Sequence, residues 1–269
     1  MFYSKNIMTT HLYCFAGKGR YGQEHILQLQ ANTVNSAYSI GKIESIFAFT
    51  PADIDPVFFE NNKHILTNPR GAGYWLWKYY FAIKLLESTD INKNDLIIYC
   101  DSKITFREDV SLLTDVFQRD NLDIMTFNIP HEQEHLMYVE KVWTKRDCFV
   151  YMNMDDEKYV NTIQGCGGFF MFKKSDLAYQ FFQETLKYSQ DYRILTDSPN
   201  ECGLTNYDGY IEHRHDQSVK SLMSKKYKIH PYRLPWIDNS VPTHICTPET
   251  YPLIVLDEKS TYPAMLNIP

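Results

Sequence analysis

Apolar residues fall along this chain as short runs separated by helical stripes. His11 to Ala16 is the first run and predicts a strand. A glycine-rich loop follows. Positions 26, 27, 30, 34, 37 and 38 then keep helical spacing up to Gly41, which predicts a helix over 23–40. Ile43 to Phe49 is the second strand. Strand, loop, helix, strand is the opening of a parallel α/β sheet. Residues 53–61 read as a short helix or turn, and from Tyr74 a helix begins that is apolar nearly all round and so is expected to be buried. Leu96 to Cys100 is five apolar residues in a row, the pattern of a strand covered on both faces.

Downstream the pattern predicts a helix over 109–119, a strand over 122–128 and a helix over 139–152. Residues 154–160 look acidic and irregular. A buried strand entered through glycines follows at 164–172, then an amphipathic helix over 174–189. The loop from Tyr192 to Tyr210 is long enough to act as a lid. Val219, Leu222, Met223 and Tyr227 continue at helical spacing from Asp216. Seven of the twelve prolines lie from Pro231 onward, which predicts an irregular tail packed across the sheet. The expectation is one α/β domain over 1–269, with a mostly parallel central sheet flanked by helices, a core at 11–230 and a proline-rich tail at 231–269.

In an open α/β sheet, ligands bind beyond the carboxyl ends of the strands. The central run ends in Asp101-Ser102-Lys103, so these residues are expected at a ligand. If the backbone stays extended, Asp101 and Lys103 point to the same side; a plain Asp-Ser turn would also fit. Gly17, Gly19 and Gly22, between the first strand and helix, can offer backbone N–H groups to phosphate, although they spell neither a dinucleotide fingerprint nor a Walker loop. Lys78 lies on the buried helix and needs either an anion or a route to solvent, while Arg70 stands near the start of that helix, where anions are favoured. Gly165-Cys166-Gly167-Gly168 makes a floor almost without side chains, as beside strands that a ligand approaches closely. Asp216 opens a helix, where aspartate is a favoured N-cap, but His213, Arg214 and His215 beside it are more polar machinery than a cap needs. His131-Glu132-Gln133-Glu134-His135 has zincin spacing but follows Pro130 without an apolar helical pattern, and reads as a solvated loop.

Charge changes the picture by exclusion. Lys and Arg number 27 against 33 Asp and Glu, a net charge of −6, with no basic block to hold nucleic acid. None of the six cysteines forms a Cys-x-x-Cys pair, no apolar run is long enough to span a bilayer, and no Asn-x-Ser/Thr acceptor occurs. These features lead to the expectation of a cytoplasmic protein. Aromatic residues make up 15% of the chain, which suits flat ligands such as bases and sugars as well as a core.

Three stretches together resemble GT-A-type glycosyltransferases, which use nucleotide-diphosphate sugars, and most of all the bacterial and viral polysaccharide-type transferases. They are Gly71-Ala72-Gly73-Tyr74-Trp75-Leu76-Trp77-Lys78, Tyr99-Cys100-Asp101-Ser102-Lys103, and His213-Arg214-His215-Asp216-Gln217-Ser218. The likeness spans roughly residues 11–230, and Lys103 departs from it by standing where a second acid or a glycine is usual. It implies a Rossmann-type GT-A fold and transfer of a sugar to a glycan acceptor. By the same resemblance, Phe15, Gly17 and Arg20 would hold the nucleotide, and Asp101 with Ser102 and Lys103 would face ribose, diphosphate or metal. Arg70 and Lys78 would meet the donor phosphates, with Tyr74 and Trp77 shaping the wall. Gly165, Cys166, Gly167 and Gly168, with His213, Arg214 and His215, would line the sugar or acceptor side. Asp216 would be the base of an inverting transfer. A divalent metal, manganese or magnesium, would be held by Asp101 and His244, or its place would be taken by the Lys103 ammonium. Two other readings compete: a sugar nucleotidylyltransferase, suggested by Ala16 to Arg20, and a non-catalytic sugar-nucleotide or glycan binder, suggested by Lys103.

Overall fold

A computed structural model describes residues 8–19, 22–129, 138–238 and 266–268. Its central sheet contains β1 (Thr10–Phe15), β2 (Ser45–Phe49), β3 (Leu96–Cys100), β4 (Ile124–Met125) and β5 (Phe169–Lys173). The strand order is β2-β1-β3-β5-β4. β2, β1 and β3 pair in parallel, whereas β5 runs antiparallel to both β3 and β4. The sheet is therefore mixed, with β5 reversed against four strands that share one direction.

Alternation along the strands divides the interior into two cores. Tyr13, Phe15, Ile97, Tyr99, Phe170 and Phe172 face one side; Leu12, Cys14, Leu96, Ile98, Phe169 and Met171 face the other. The first face is covered by α2 (Trp77–Glu87), α4 (Asp176–Ser189) and α5 (Asp216–Lys226), through Phe81, Leu85, Phe181, Phe182, Val219 and Leu222. The second is covered by α1 (Gln23–Ser39) and α3 (Ser111–Arg119), through Ala37, Leu113, Val116 and Phe117. Each fully buried Phe or Leu contributes about 1.5–3 kcal/mol, and covering on both faces is what made β3 read as an unbroken apolar run.

Three departures from the sequence expectation have local causes. The strand over 122–128 changes partner at Thr126: Ile124–Met125 joins β5, while Phe127–Asn128 pairs in parallel with Tyr232–Arg233. The helix over 139–152 is two short helices, Glu140–Trp143 and Arg146–Tyr151. At the break, Lys145 N–H donates to His213 Nδ1 and Trp143 O accepts from Ser218 Oγ, so partners from outside the helix capture the backbone there. The loop after Leu195 is anchored by hydrogen bonds to the helix at 146–151 and to Lys145. Lys145 Nζ donates to Ser198 O at 2.7 Å, Asp147 accepts the N–H groups of Glu201 and Cys202, and Arg146 N–H donates to Asn206. The described parts of the tail are strands: Trp236–Asp238 and Leu266–Ile268 pair with each other, and Thr105–Phe106 joins them. His131, His135 and His244 lie outside the described residues.

Candidate active site at the carboxyl end of the central strand

The helix expected from Tyr74 starts at Trp77, because residues 71–75 form a left-handed turn first. Their φ angles are 59° for Gly71, 51° for Ala72, 99° for Gly73, 51° for Tyr74 and 60° for Trp75. Left-handed backbone costs an L-residue about 1–2 kcal/mol, and Ala72, Tyr74 and Trp75 all bear that cost. Glycine is needed at 71 and 73 for space as well, since an added Cβ would come within 2.3 Å of the Trp75 ring and 2.7 Å of Leu66 Cα. Trp77 bolts the turn in place: its indole N–H donates to Gly71 O at 3.0 Å, and its ring stacks on Phe15 at 4.0 Å. Gly17 and Gly19 lie against the same turn, Gly17 facing Ala72 Cβ and Gly19 facing Pro69 O. Arg20 lies outside the described residues. Backbone strain of this kind concentrates at functional sites.

α2 then carries Lys78 under the end of β3. The ammonium is 2.5 Å from Asp216 Oδ2, 2.9 Å from Gly167 O and 3.9 Å from Asp101 Oδ1, and it stands 4.6 Å from the Tyr99 ring centre. Lys78 is 2% exposed and Asp216 4% exposed. The answer to the buried lysine is thus an anion, Asp216, and its donors turn inward. Contact with donor phosphates, expected for Lys78, would compete with this ion pair. The Asp101 side chain is 26% exposed and takes a hydrogen bond from Tyr99 OH at 2.5 Å. Tyr79 OH donates to Asp216 O at 2.6 Å, and Tyr13 OH to Lys78 O at 3.2 Å, so tyrosines from strand and helix brace the pair.

Asp216 is the first residue of α5 and does not cap it. His215 holds the cap position with φ 52° and ψ −121°, and makes no side-chain capping bond. Burial pushes the Asp216 carboxyl up to about 6, with Lys78 opposing. The capping role that competed in the sequence is therefore absent, and the carboxylate is left to its ion pair.

Other expected residues are placed differently. The backbone turns at Asp101, with Ile104 N–H donating to Asp101 O at 3.0 Å, so Lys103 does not share a side with Asp101 by extension and is exposed. The cation beside Asp101 is Lys78. Ser102 is buried and donates to Phe15 O at 2.7 Å, joining the ends of β1 and β3. Arg70 reaches Asp197 at 3.4 Å and Glu212 at 3.3 Å, and Arg214 lies over the Trp143 ring with Glu212 as its ion partner. The two histidine rings are buried. His213 Nε2–H donates to Ile194 O at 2.8 Å and His215 Nδ1–H to Leu195 O at 2.8 Å, since a carbonyl only accepts. Burial lowers His213 well below its ordinary value and His215 to about 4, so both rings are neutral at pH 7. The His215 ring stacks with Trp75 and packs on Tyr74. Gly165 and Gly167 lack side chains because Ser221 and Gln217 of α5 occupy that space.

Sequence reasoning missed Tyr79, Tyr99, Gln217, Lys220 and Ser221. Tyr99 was legible as the residue two before Asp101 on the same strand face. Lys220 carried a weaker signal, a lysine one helical turn after Asp216 among Val219, Leu222 and Met223.

The carboxylates are the candidate metal ligands at this site. Asp101 offers one carboxylate with a tyrosine hydroxyl and an ammonium beside it, and Asp216 is paired to Lys78. Among the described residues no group of three His, Cys, Asp or Glu could hold an ion. The described residues do not by themselves fit a metal.

The fold is GT-A-like: a mixed α/β sheet flanked by helices, with its polar site at the carboxyl ends of the parallel strands. It is similar to the crystal structure of mouse xyloside xylosyltransferase 1 in its apo form, with a TM-score of 0.51 over 97% of this chain and 98% of that one, at 9% identity. No protein-family model matches the chain, and no curated protein matches its sequence. No helix among the described residues is long and apolar enough to cross a membrane.

Proposed function

We propose that this protein is a glycosyltransferase that moves a sugar from a nucleotide-diphosphate sugar to a hydroxyl of a glycan acceptor. The observation that carries the reading is the Asp101–Lys78–Asp216 array at the carboxyl end of β3, in a GT-A-like fold. The exposed edge of Asp101 faces the donor's ribose and diphosphate. Phe15 to Gly19 and the left-handed turn form the nucleotide side, and Arg70, released from Asp197 and Glu212, meets the phosphates. In an inverting transfer the acceptor oxygen attacks the anomeric carbon, the carbon–phosphate oxygen bond breaks, and the nucleoside diphosphate leaves. Lys78 holds Asp216 Oδ2, so Oδ1 takes the acceptor proton.

Screening a panel of nucleotide sugars by thermal shift and by hydrolysis tests this reading. A donor at one hundred times its dissociation constant stabilises by about 2.7 kcal/mol. Release of nucleoside diphosphate is expected; release of pyrophosphate from a triphosphate and a sugar phosphate would instead establish a nucleotidylyltransferase. Binding without turnover across many acceptors would establish a non-catalytic binder. With the donor in hand, kcat/KM should rise with pH through a midpoint at about 6, because the base works only when Asp216 has lost its proton. A flat profile from pH 5 to 8 would remove Asp216 from the reaction.

A further inference from the structure

Residues 165–168 are a strap of backbone held by side chains of α5 and by Lys78 of α2. Gly165 N–H donates to Ser221 Oγ at 2.6 Å, and Gly167 N–H to Gln217 Oε1 at 2.9 Å. Gly167 O accepts from Lys78 at 2.9 Å, and Gly168 O accepts from Asp101 N–H at 2.9 Å. Cys166 O, between them, accepts from Lys220 Nζ. Lys220 is 1% exposed, and its ammonium stands 5.0 Å from the centre of the Phe170 ring. Its hydrogen bond goes to a neutral carbonyl and not to a carboxylate. A buried ammonium so placed is costly, and nearby negative charge relieves it.

We infer that Lys220 is a positioning residue for Asp216: four residues on along α5, and so on the same face of that helix, it anchors the strap through the Cys166 carbonyl and sets its ammonium on the side that carries the Asp216 carboxylate. The inference rests on reading Asp216 as the base of sugar transfer. Lys78, Asp216, Lys225 and Cys166 act on Lys220; Lys78, Asp101 and Lys220 act on Asp216, which also faces the buried hydroxyls of Tyr13, Tyr79 and Tyr99. Burial brings Lys220 down to about 8 and raises Asp216 to about 6, so at neutral pH the ammonium and the carboxylate are both charged. Each then favours the charged form of the other. Asp101, a like charge, pushes Asp216 the opposite way. With Lys220 gone, Lys78 is left to oppose burial and Asp101.

The test follows the Asp216 carboxyl by NMR in protein labelled with carbon-13 at aspartate. Its signal is identified by its loss in Asp216→Asn. The wild-type midpoint is expected at about 6. In Lys220→Met it should move up by about one pH unit, and in Lys220→Arg, which keeps the charge, it should stay near wild type. If Lys220→Met does not fold, Lys220→Gln keeps a donor for Cys166 without the charge and should shift in the same direction. An unchanged midpoint in a folded, uncharged variant overturns the inference, as does an equal shift in Lys220→Arg. The acid limb of the pH–rate profile should follow the carboxyl. Absence of turnover with every nucleotide sugar would sink the transferase reading and leave this titration standing, so the two failures are distinct.

Discussion

Asp216→Asn is expected to lower turnover by about 10²–10⁴-fold while the protein stays folded. Asparagine keeps the size of the side chain and an oxygen that can accept from Lys78 at the 2.5 Å contact. It loses the ability to carry away a proton. Helix α5 should survive, because its cap is His215 and Asp216 makes no capping bond. The Tyr79 hydroxyl bonds to the backbone oxygen of residue 216, so that brace is indifferent to the substitution. Initial rates with the identified donor, beside thermal melts of both proteins, check the expectation. Full turnover in a folded Asp216→Asn would show that the carboxylate is only the counter-ion of Lys78. Retention of the anomeric configuration in the product would also remove the role of base, because Asp216 is assigned to an inverting attack.

The sheet was legible because its strands are covered on both faces. Burial on both sides writes an unbroken apolar run such as Leu96 to Cys100, and the two cores then take alternate residues from it. The reversal of β5 could not be read, because an apolar run carries no direction. The candidate site was legible as three separate stretches whose meeting depends on tertiary placement. Lys78 was marked by its position on an apolar helix, and the structure supplies the anion it lacked in sequence, 138 positions later. The left-handed turn at 71–75 was half visible: two glycines signalled an unusual backbone, but Ala72, Tyr74 and Trp75 have ordinary helical or β preferences and hid its extent. Asp101 and Lys103 were judged by the spacing of an extended chain, and the turn at Asp101 breaks that spacing. The histidines looked chemical because neighbouring polar residues in sequence suggest a shared task. Their rings instead reach the carbonyls of Ile194 and Leu195 and fix the entry to α5.

Lys78→Met is expected to destabilise the protein by about 3–5 kcal/mol, the usual loss when one member of a buried ion pair is removed. Lys78 is 2% exposed and Asp216 4% exposed, so water does not replace the missing partner. For a chain of this length the melting temperature should fall by roughly 6–20 °C. The loss should depend on pH. Asp216 already titrates in the folded protein at about 6, above its unfolded value of 3.8, and without Lys78 its folded value rises further. A carboxyl raised in the folded state contributes stability that is fully present below the unfolded value and is lost as pH rises through the folded one. Lys78→Met should therefore melt closest to wild type near pH 4 and furthest below it near pH 8. The double variant Lys78→Met/Asp216→Asn should regain part of the loss at pH 8, since it removes both members of the Lys78–Asp216 pair. The cycle also separates this role from phosphate binding. A lysine whose donors face Asp216 and Gly167 acts on the donor sugar only through the carboxylate and the strap. Additive losses in the double variant, together with weakened donor binding and an undiminished melting temperature in Lys78→Met, would turn Lys78 back into a phosphate ligand.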